Sequence, residues 1–269
     1  MLGNTTYWYK TRACSSAGCS TYSEPGSGYA SIWVLTDVSL NRAYQDLALD
    51  CLPTLAHETG TLYFPVSAIF DSDTDPTNNK EHYFEWNVED WRWVYIHVVT
   101  DEAHTYIECW YYYVHNPWLN VHEQDWELAI VVLDNAYAPV RVRMGYHGTM
   151  FDHSWSNVDL DGTTCHSFCY VHEGSHAMWN KPSSTLLLPP QHWSGTAEYS
   201  TWEGFRSDGF MFLSRETSWY YNDKGQKVSR MLSTDCRFNQ GTTSLPKHYE
   251  AYDAPWLRPI WDNPESNNY

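Results

Sequence analysis

Positive charge is scarce in this 269-residue chain, where 16 lysines and arginines stand against 33 aspartates and glutamates, giving a formal net charge of −17. So few cations cannot neutralise a run of phosphates, which excludes nucleic acid as a partner. The same balance opposes simple electrostatic docking on anionic lipid. No apolar run approaches the roughly 18 residues of a membrane span, so no transmembrane segment is expected. Met1 is followed by a polar, Tyr-rich segment instead of a basic-then-apolar leader, and no signal peptide is legible there. The common catalytic fingerprints are also missing. Trp126 stands where a zinc-protease motif starting at His122-Glu123 needs its second histidine, and neither a phosphate-binding loop nor a dinucleotide fingerprint occurs. No G-x-S-x-G elbow is present, and Ser175 and His176, adjacent on an extended chain, point apart, which excludes a serine hydrolase.

Aromatics fill part of the space that these absences leave. They make up 17% of the residues, including 15 Trp and 21 Tyr, an excess that serves either a β-sandwich core or stacking platforms for carbohydrate. Seven cysteines, an odd number, leave at least one unpaired in any monomer. Cys14 with Cys19 and Cys165 with Cys169 are close enough in sequence for two local disulfides, and buried reduced thiols are the other reading. Cysteine use favours an exported, secreted protein, whereas the leaderless start fits a cytosolic one.

Read in order, residues 6 to 23 alternate apolar and polar about a Ser-Ser-Ala-Gly turn, a hairpin signature. This segment resembles the last hairpin of a fibronectin type III module, so residues 1–31, with the Glu24-Pro-Gly-Ser-Gly linker, are set apart as a hairpin remnant from a β-sandwich domain over 32–269. Residues 40 to 50 form one of few helix-like patches, ended by Pro53. Asp71, Asp73 and Asp75 resemble half a calcium loop. Pro76 and His82 stand where an EF-hand needs Gly and Glu, leaving a solvated acidic loop or a calcium site of another type. Phe84–Val88 and Trp91–Val99 read as two strands, the aromatic run to Val114 as a third, and Pro139–Tyr146 as the antiparallel partner of the strand that ends at Asp134-Asn135. Residues 150 to 166 read as loop, and 167 to 172 as a strand that delivers Gly174-Ser175-His176.

The candidate chemistry sits at His122-Glu123-Gln124-Asp125-Trp126-Glu127, which runs into the β-branched stretch Leu128–Leu133. Side chains on a strand alternate, so Asp125 and Glu127 share one face and Trp126, Leu128 and Ile130 the other. Carboxylates roughly 7 Å apart converge on one cation or one sugar, and His122 leans over the same spot. Both ionise most easily beside a counter-charge. A metal is the first choice, with Arg141 and Arg143 as its rivals.

The order of an aromatic strand (Cys109–Asn116), H-x-x-D-W-E at 122–127, Gly145-Tyr146-His147-Gly148 and Gly174-Ser175-His176-Ala177 resembles a superfamily with two branches. These are the vacuolar protein sorting 62-related proteins and the necrosis- and ethylene-inducing-protein-like cytolysins. The opening stretch Ala48–Ser67 and the Pro-Trp-rich tail from Ala254 resemble the sorting-related branch. The resemblance implies an all-β fold, an antiparallel β-sandwich of jelly-roll type with long aromatic-rich loops and few short helices. It implies metal ligands at His122, Asp125 and Glu127, with Asn116 where the cytolysins carry an aspartate. Gln124 and Val121 depart from the cytolysin heptapeptide, which bears on cytolysis more than on the metal. That oxygen-rich set suits Ca²⁺ or Mg²⁺, whereas imidazoles from His147, His176 or His115 would suit Zn²⁺ or Mn²⁺. The expected function is divalent-cation-dependent binding of a glycan or a glycosylated lipid headgroup in a toxin-like, peripherally membrane-contacting protein, with Trp118 and Trp155 stacking on the sugar. One alternative is a metal-dependent hydrolase using Glu127 or His176 as general base. The other is a structural adhesion module whose polar cluster only stabilises it.

Overall fold

The computed structural model describes residues 7–9, 14–15, 18–19, 26–28, 35–39, 41–67, 79–85, 92–118, 121–146, 148–162, 165–182, 193, 195–208, 210–213, 219–221, 227–230, 255 and 258–267. Of these, 7–9, 14–15, 18–19, 26–28, 79, 122–124, 197, 207–208, 211, 219–221 and 227–230 are described by backbone alone. The acidic Asp71–Asp75 loop lies outside the described residues. The chain divides into two compact units, residues 1–34 and 35–269. In the first, β1 (Tyr7–Tyr9) pairs with β4 (Gly26–Gly28), and β2 (Cys14–Ser15) with β3 (Gly18–Cys19), placing Cys14 opposite Cys19.

The second unit begins with β5 (Thr36–Asp37), helix α1 (Arg42–Leu49), β6 (Thr54–Glu58), helix α2 (Asn79–Glu85) and β7 (Val94–Thr100). Two thirteen-residue strands, β8 (His104–Asn116) and β9 (His122–Asp134), lead into β10 (Pro139–Tyr146) and β11 (Thr149–Ser154). Then come β12 (Phe168–Val171), β13 (Met178–Trp179), β14 (Thr196–Ser200), helix α3 (Trp202–Asp208), β15 (Phe210–Phe212), β16 (Trp219–Tyr221), β17 (Lys227–Arg230) and helix α4 (Pro259–Asp262). Among the described residues the large sheet runs β11-β10-β9-β8-β7-β15-β16-β17, with β5 also on β7, and a smaller sheet runs β13-β12-β6-β14. The fold is all-β and largely antiparallel, with parallel pairs β6–β12 and β7–β15.

Strand β8 is buried from Thr105 to Asn116, which needs cover on both faces. On one face Ile107, Cys109, Tyr111 and Tyr113 join Ala129 and Val131 of β9 and pack against Leu55, Cys169 and Val171 of the small sheet. On the other, Tyr106, Trp110, Tyr112, Trp126 and Leu128 pack against Tyr63, Tyr83, Ile260 and Trp261. The strict alternation of the sequence thus serves two cores. Helix α1 forms where expected, with Asn41 capping it through the Ala43 amide.

Two segments differ from their sequence reading. The expected strand starting at Phe84 begins inside α2, which buries Tyr83 under the large sheet and leaves Phe84 exposed, a helical division of neighbours that alternation alone did not reveal. Residues 150–154, within the segment read as loop, belong to β11, an edge strand on β10 with Met150 turned inward.

The cysteines also differ. Cys165 bonds to Cys51 and not to Cys169. The cause is register: Thr54 and Phe168 are partners in the parallel pair β6–β12, and each half-cystine lies three residues before its partner. Cys169 points into the core as a buried thiol, as does Cys109.

The face away from the small sheet holds a buried ionic cluster. His97 of β7 bonds Glu108 of β8 through Nδ1 at 3.1 Å, lies 3.6 Å from Asp37 through Nε2, and stacks flat on Trp261 of α4 at 3.7 Å. The Trp110 indole donates to the same Glu108 oxygen at 3.0 Å. Burial opposes the imidazolium, but Glu108 and Asp37 outweigh it and the His97 pKa is raised. A raised folded-state pKa means that the stabilisation is fully present below the unfolded value near 6.5 and is lost as pH rises through the folded value. Denaturation of wild type and His97→Gln from pH 5 to 10 should therefore show a stability difference that shrinks as pH rises. A difference that stays constant with pH removes the imidazolium from the cluster. Replacing both Cys51 and Cys165 by Ser reopens a loop with a sequence separation of 114, and the loss should be about 4 kcal/mol in urea unfolding.

Candidate functional site

The site is built where the C-terminal end of β8 lies against the N-terminal end of β9. Tyr111 pairs with Glu127, Tyr113 with Asp125, and Asn116 with His122. Asp125 and Glu127 share the face that carries Tyr111, Tyr113, Ala129 and Val131, and Trp126 faces the opposite core, as strand alternation requires. That face lies beneath the small sheet, so both carboxylates are only 5% exposed.

The small sheet contributes His176. The turn between β12 and β13 closes through His172 N–H to Ala177 O at 3.0 Å and His176 N–H to His172 O at 3.2 Å. Gly174 and His176 both take the left-handed conformation, with φ of 73° and 52°. Glycine does so freely, whereas histidine pays a steric cost of about 1–2 kcal/mol. Two contacts offset it. The His176 ring stacks on Tyr113 at 3.9 Å and 6°, and Nδ1 donates to Asp125 Oδ2 at 2.9 Å. Asn116 Nδ2 donates to the same oxygen at 3.2 Å, while Asn116 Oδ1 accepts the Trp118 amide at 2.9 Å. That second bond fixes the orientation of the amide, so its nitrogen faces the carboxylate.

Further groups enter from β6, β14 and the segment before β7. His57 Nε2 bonds Ser200 Oγ at 2.8 Å with both side chains buried. Burial first, then the charges of Arg92 and His176, push the His57 pKa well below its usual value. Arg92 lies over the Phe64 ring at 4.0 Å and pairs with Glu198. The Tyr113 phenol is held protonated, its pKa raised by burial first, then by Glu127 and Asp125, against an opposing pull from Arg92. On the outer side of β6, Glu58 accepts from His172 Nδ1 at 3.1 Å and from the Glu173 amide at 3.0 Å, which anchors the turn that carries His176.

Of the residues nominated from sequence, Asn116 and His176 both bond Asp125, and Glu127 shares the strand face of Asp125. Asn116 presents a donor to the acid instead of the oxygen ligand that was expected. His122 stands opposite Asn116 in the ladder, but its side chain lies outside the described residues, as does all of His147. His115 is directed elsewhere, with its ring 5.3 Å from Tyr63. Trp118 is half-buried, and its ring edge lies 3.7 Å from where a Gly174 side chain would begin. Trp155 is a correction. It follows Ser154, whose row runs through Arg141 to Val132, seven residues from Asp125 and so about 23 Å along the strand, and it packs on the core there.

The expected rival cations are also misplaced. Arg143 and Arg141 pair with Asp152, and Arg141 also with Glu265. Among the described residues, Arg92 is a cation whose charge bears on His57 and Tyr113. Sequence reasoning missed it together with Tyr113, His57 and Ser200. His57 lay in the Ala48–Ser67 stretch that carried the resemblance, and Tyr113 was hidden among look-alike aromatics. Among the described residues no three His, Cys, Asp or Glu side chains gather as a metal-holding group.

No family profile and no curated protein matches the chain. Solved structures do. An NLPPya complex with mannosamine is 17% identical, with 58% of this chain and 69% of that one covered at a TM-score of 0.37. Necrosis and Ethylene inducing Protein 2 from the causal agent of cocoa's Witches Broom disease is 17% identical over 60% of this chain and 76% of that one, also at 0.37. The non-toxic HaNLP3 protein is 11% identical over 63% and 74%, again at 0.37.

Removing the Asp125 carboxylate strips the buried His176 and Asn116 donors of their shared acceptor. Asp125→Ala should cost about 2–4 kcal/mol in urea denaturation, well beyond the effect of the same change at Asp152 on the rim of β11. Equal losses at the two positions would mean that the bonds to Asp125 contribute little.

Proposed function

We propose that this protein is a toxin-like binder of a glycan or a glycosylated lipid headgroup, acting outside the cell through the Asp125–Glu127–His176 cluster with the help of a divalent cation. The observation that supports it is the pair of nearly buried carboxylates on one strand face, of which Asp125 is held by Asn116 and His176 beneath the small sheet. Anions removed from water need compensation, and a cation supplies it most directly. The donor chemistry fits in part. Asp125 and Glu127 are hard oxygen donors suited to Ca²⁺ or Mg²⁺, and His122 stands on the same strand, three residues before Asp125. Asn116 fits less well, since its amide nitrogen faces the acid, and Arg92 already supplies some positive charge. In this reading Asp125 and Glu127 would hold the ion, His176 and Asn116 orient Asp125, and Trp118 offers the stacking surface beside the turn. A bound ion would supply a bridge from carboxylates to sugar hydroxyls. The resemblance of H-x-x-D-W-E and G-S-H-A to the cytolysins and the vacuolar protein sorting 62-related proteins falls on these same residues. No helix among the described residues is long and apolar enough to cross a membrane.

The Asp125–His176 bond favours a second reading, a metal-dependent hydrolase. With Nδ1 donating to Asp125, Nε2 is left as the basic nitrogen, a general base with Glu127 as its partner acid. Turnover of glycoside substrates, lost in Glu127→Gln, would select it over binding alone.

Melting the protein after chelation, then restoring Ca²⁺, Mg²⁺, Mn²⁺ or Zn²⁺ singly, tests the ion. The midpoint should fall on chelation and recover with Ca²⁺ or Mg²⁺ first. Co-sedimentation with phosphatidylcholine vesicles, with and without glucosylceramide, tests the headgroup, and dye release from the same vesicles tests toxicity. Unchanged melting after chelation removes the cation, and equal sedimentation on both vesicles removes the glycan.

A further inference from the structure

Tyr113 is central to the cluster. It stands directly across the ladder from Asp125 and diagonally from Glu127, where opposite side chains start about 5 Å apart. Its ring is the floor on which His176 lies. Its side chain is fully buried, yet Oη has no hydrogen-bond partner among the described residues. A buried hydroxyl left without a bond costs about 1–3 kcal/mol, and a phenylalanine would stack on His176 equally well without that cost. From the facing sheet, His57 Nδ1 is likewise buried and unbonded.

We propose that Tyr113 is a specificity-determining residue of the glycan site, whose Oη donates a hydrogen bond to one free hydroxyl of the sugar while a neighbouring carboxylate accepts from that same hydroxyl. The inference rests on the glycan reading above and deepens it. A phenol O–H is a donor, here set across the ladder from carboxylate acceptors, and a hydroxyl is the group that satisfies both at once. An ether oxygen accepts without donating, and an ammonium donates without accepting. With Oη fully buried, the group that meets it is a single projecting hydroxyl and not a ring. The site therefore reads a free hydroxyl and rejects its methyl ether.

The test is a calorimetric titration of the full chain with mannosamine and glucosamine, the sugars held in complexes of NLPPya, and with their O-methylated derivatives, in wild type, Tyr113→Phe and Asp125→Ala. Wild type should bind a free sugar and discriminate against its methyl ethers. Tyr113→Phe should bind about tenfold more weakly, with its melting midpoint unchanged or raised. Unchanged affinity in Tyr113→Phe, with binding lost in Asp125→Ala, overturns the role of Tyr113 and leaves the glycan site standing. A lowered midpoint or failed folding of Tyr113→Phe shows that Oη is bonded within the fold, and it overturns the proposal as well. No binding of either sugar by wild type removes the glycan reading and this inference with it.

Discussion

The constraint on which the rest depends is that the β8–β9 ladder is buried on both faces. A strand with one wet face can place its polar residues there, but every charge on this ladder must find its match inside the protein. The strands do this twice, on opposite faces and near opposite ends. Glu108 meets His97 on the side of the C-terminal helix, and Asp125 meets His176 on the side of the small sheet. Both solutions use an imidazole that bonds a carboxylate through Nδ1 and lies flat on an aromatic ring, Trp261 in one case and Tyr113 in the other.

Both clusters hold buried polar atoms without a hydrogen bond among the described residues, His97 Nε2 in the first and Tyr113 Oη in the second, and they differ in backbone strain. Around Glu108 the neighbours close on one another: the Trp110 indole and His97 share one oxygen, and Asp37 stands on the far side of the imidazole. That arrangement joins β5, β7, β8 and α4, and its consequence is stability. Around Asp125, Tyr113 Oη and His57 Nδ1 are unbonded among the described residues, and a left-handed histidine is held in place by its contacts. Strain and unspent polar groups gathered in one place are the usual marks of a site that meets a ligand.

Much of this was open to a reader of the chain. The same-face placement of Asp125 and Glu127 follows from strand alternation, and the β9–β10 pairing from the turn at Asp134-Asn135. The arrival of His176 at the end of a strand follows from the β-rich run before it. Other features were closed to such a reading. Glu81-His82-Tyr83-Phe84 holds no local sign that it winds as a helix, because its single buried ring, Tyr83, is selected by the core above it. Trp155 and Trp118 looked interchangeable as stacking surfaces, yet strand register carries one of them to the far end of the sheet. Cys165 had a nearer partner by sequence in Cys169, and parallel register chose Cys51.

Composition and period thus determined by themselves that the chain folds as sheets, that two acids share one face, and that the chain as a whole is strongly acidic. These properties are local or summed, and a strand's alternation or a net charge needs no knowledge of neighbours. The tertiary structure decided which face is dry, which arginine bears on His57 and Tyr113, and which tyrosine lies beneath His176. Each of those depends on contacts between residues far apart in the chain, such as Asp125 with His176 or His57 with Ser200, and only the packing of one sheet on the other brings them together.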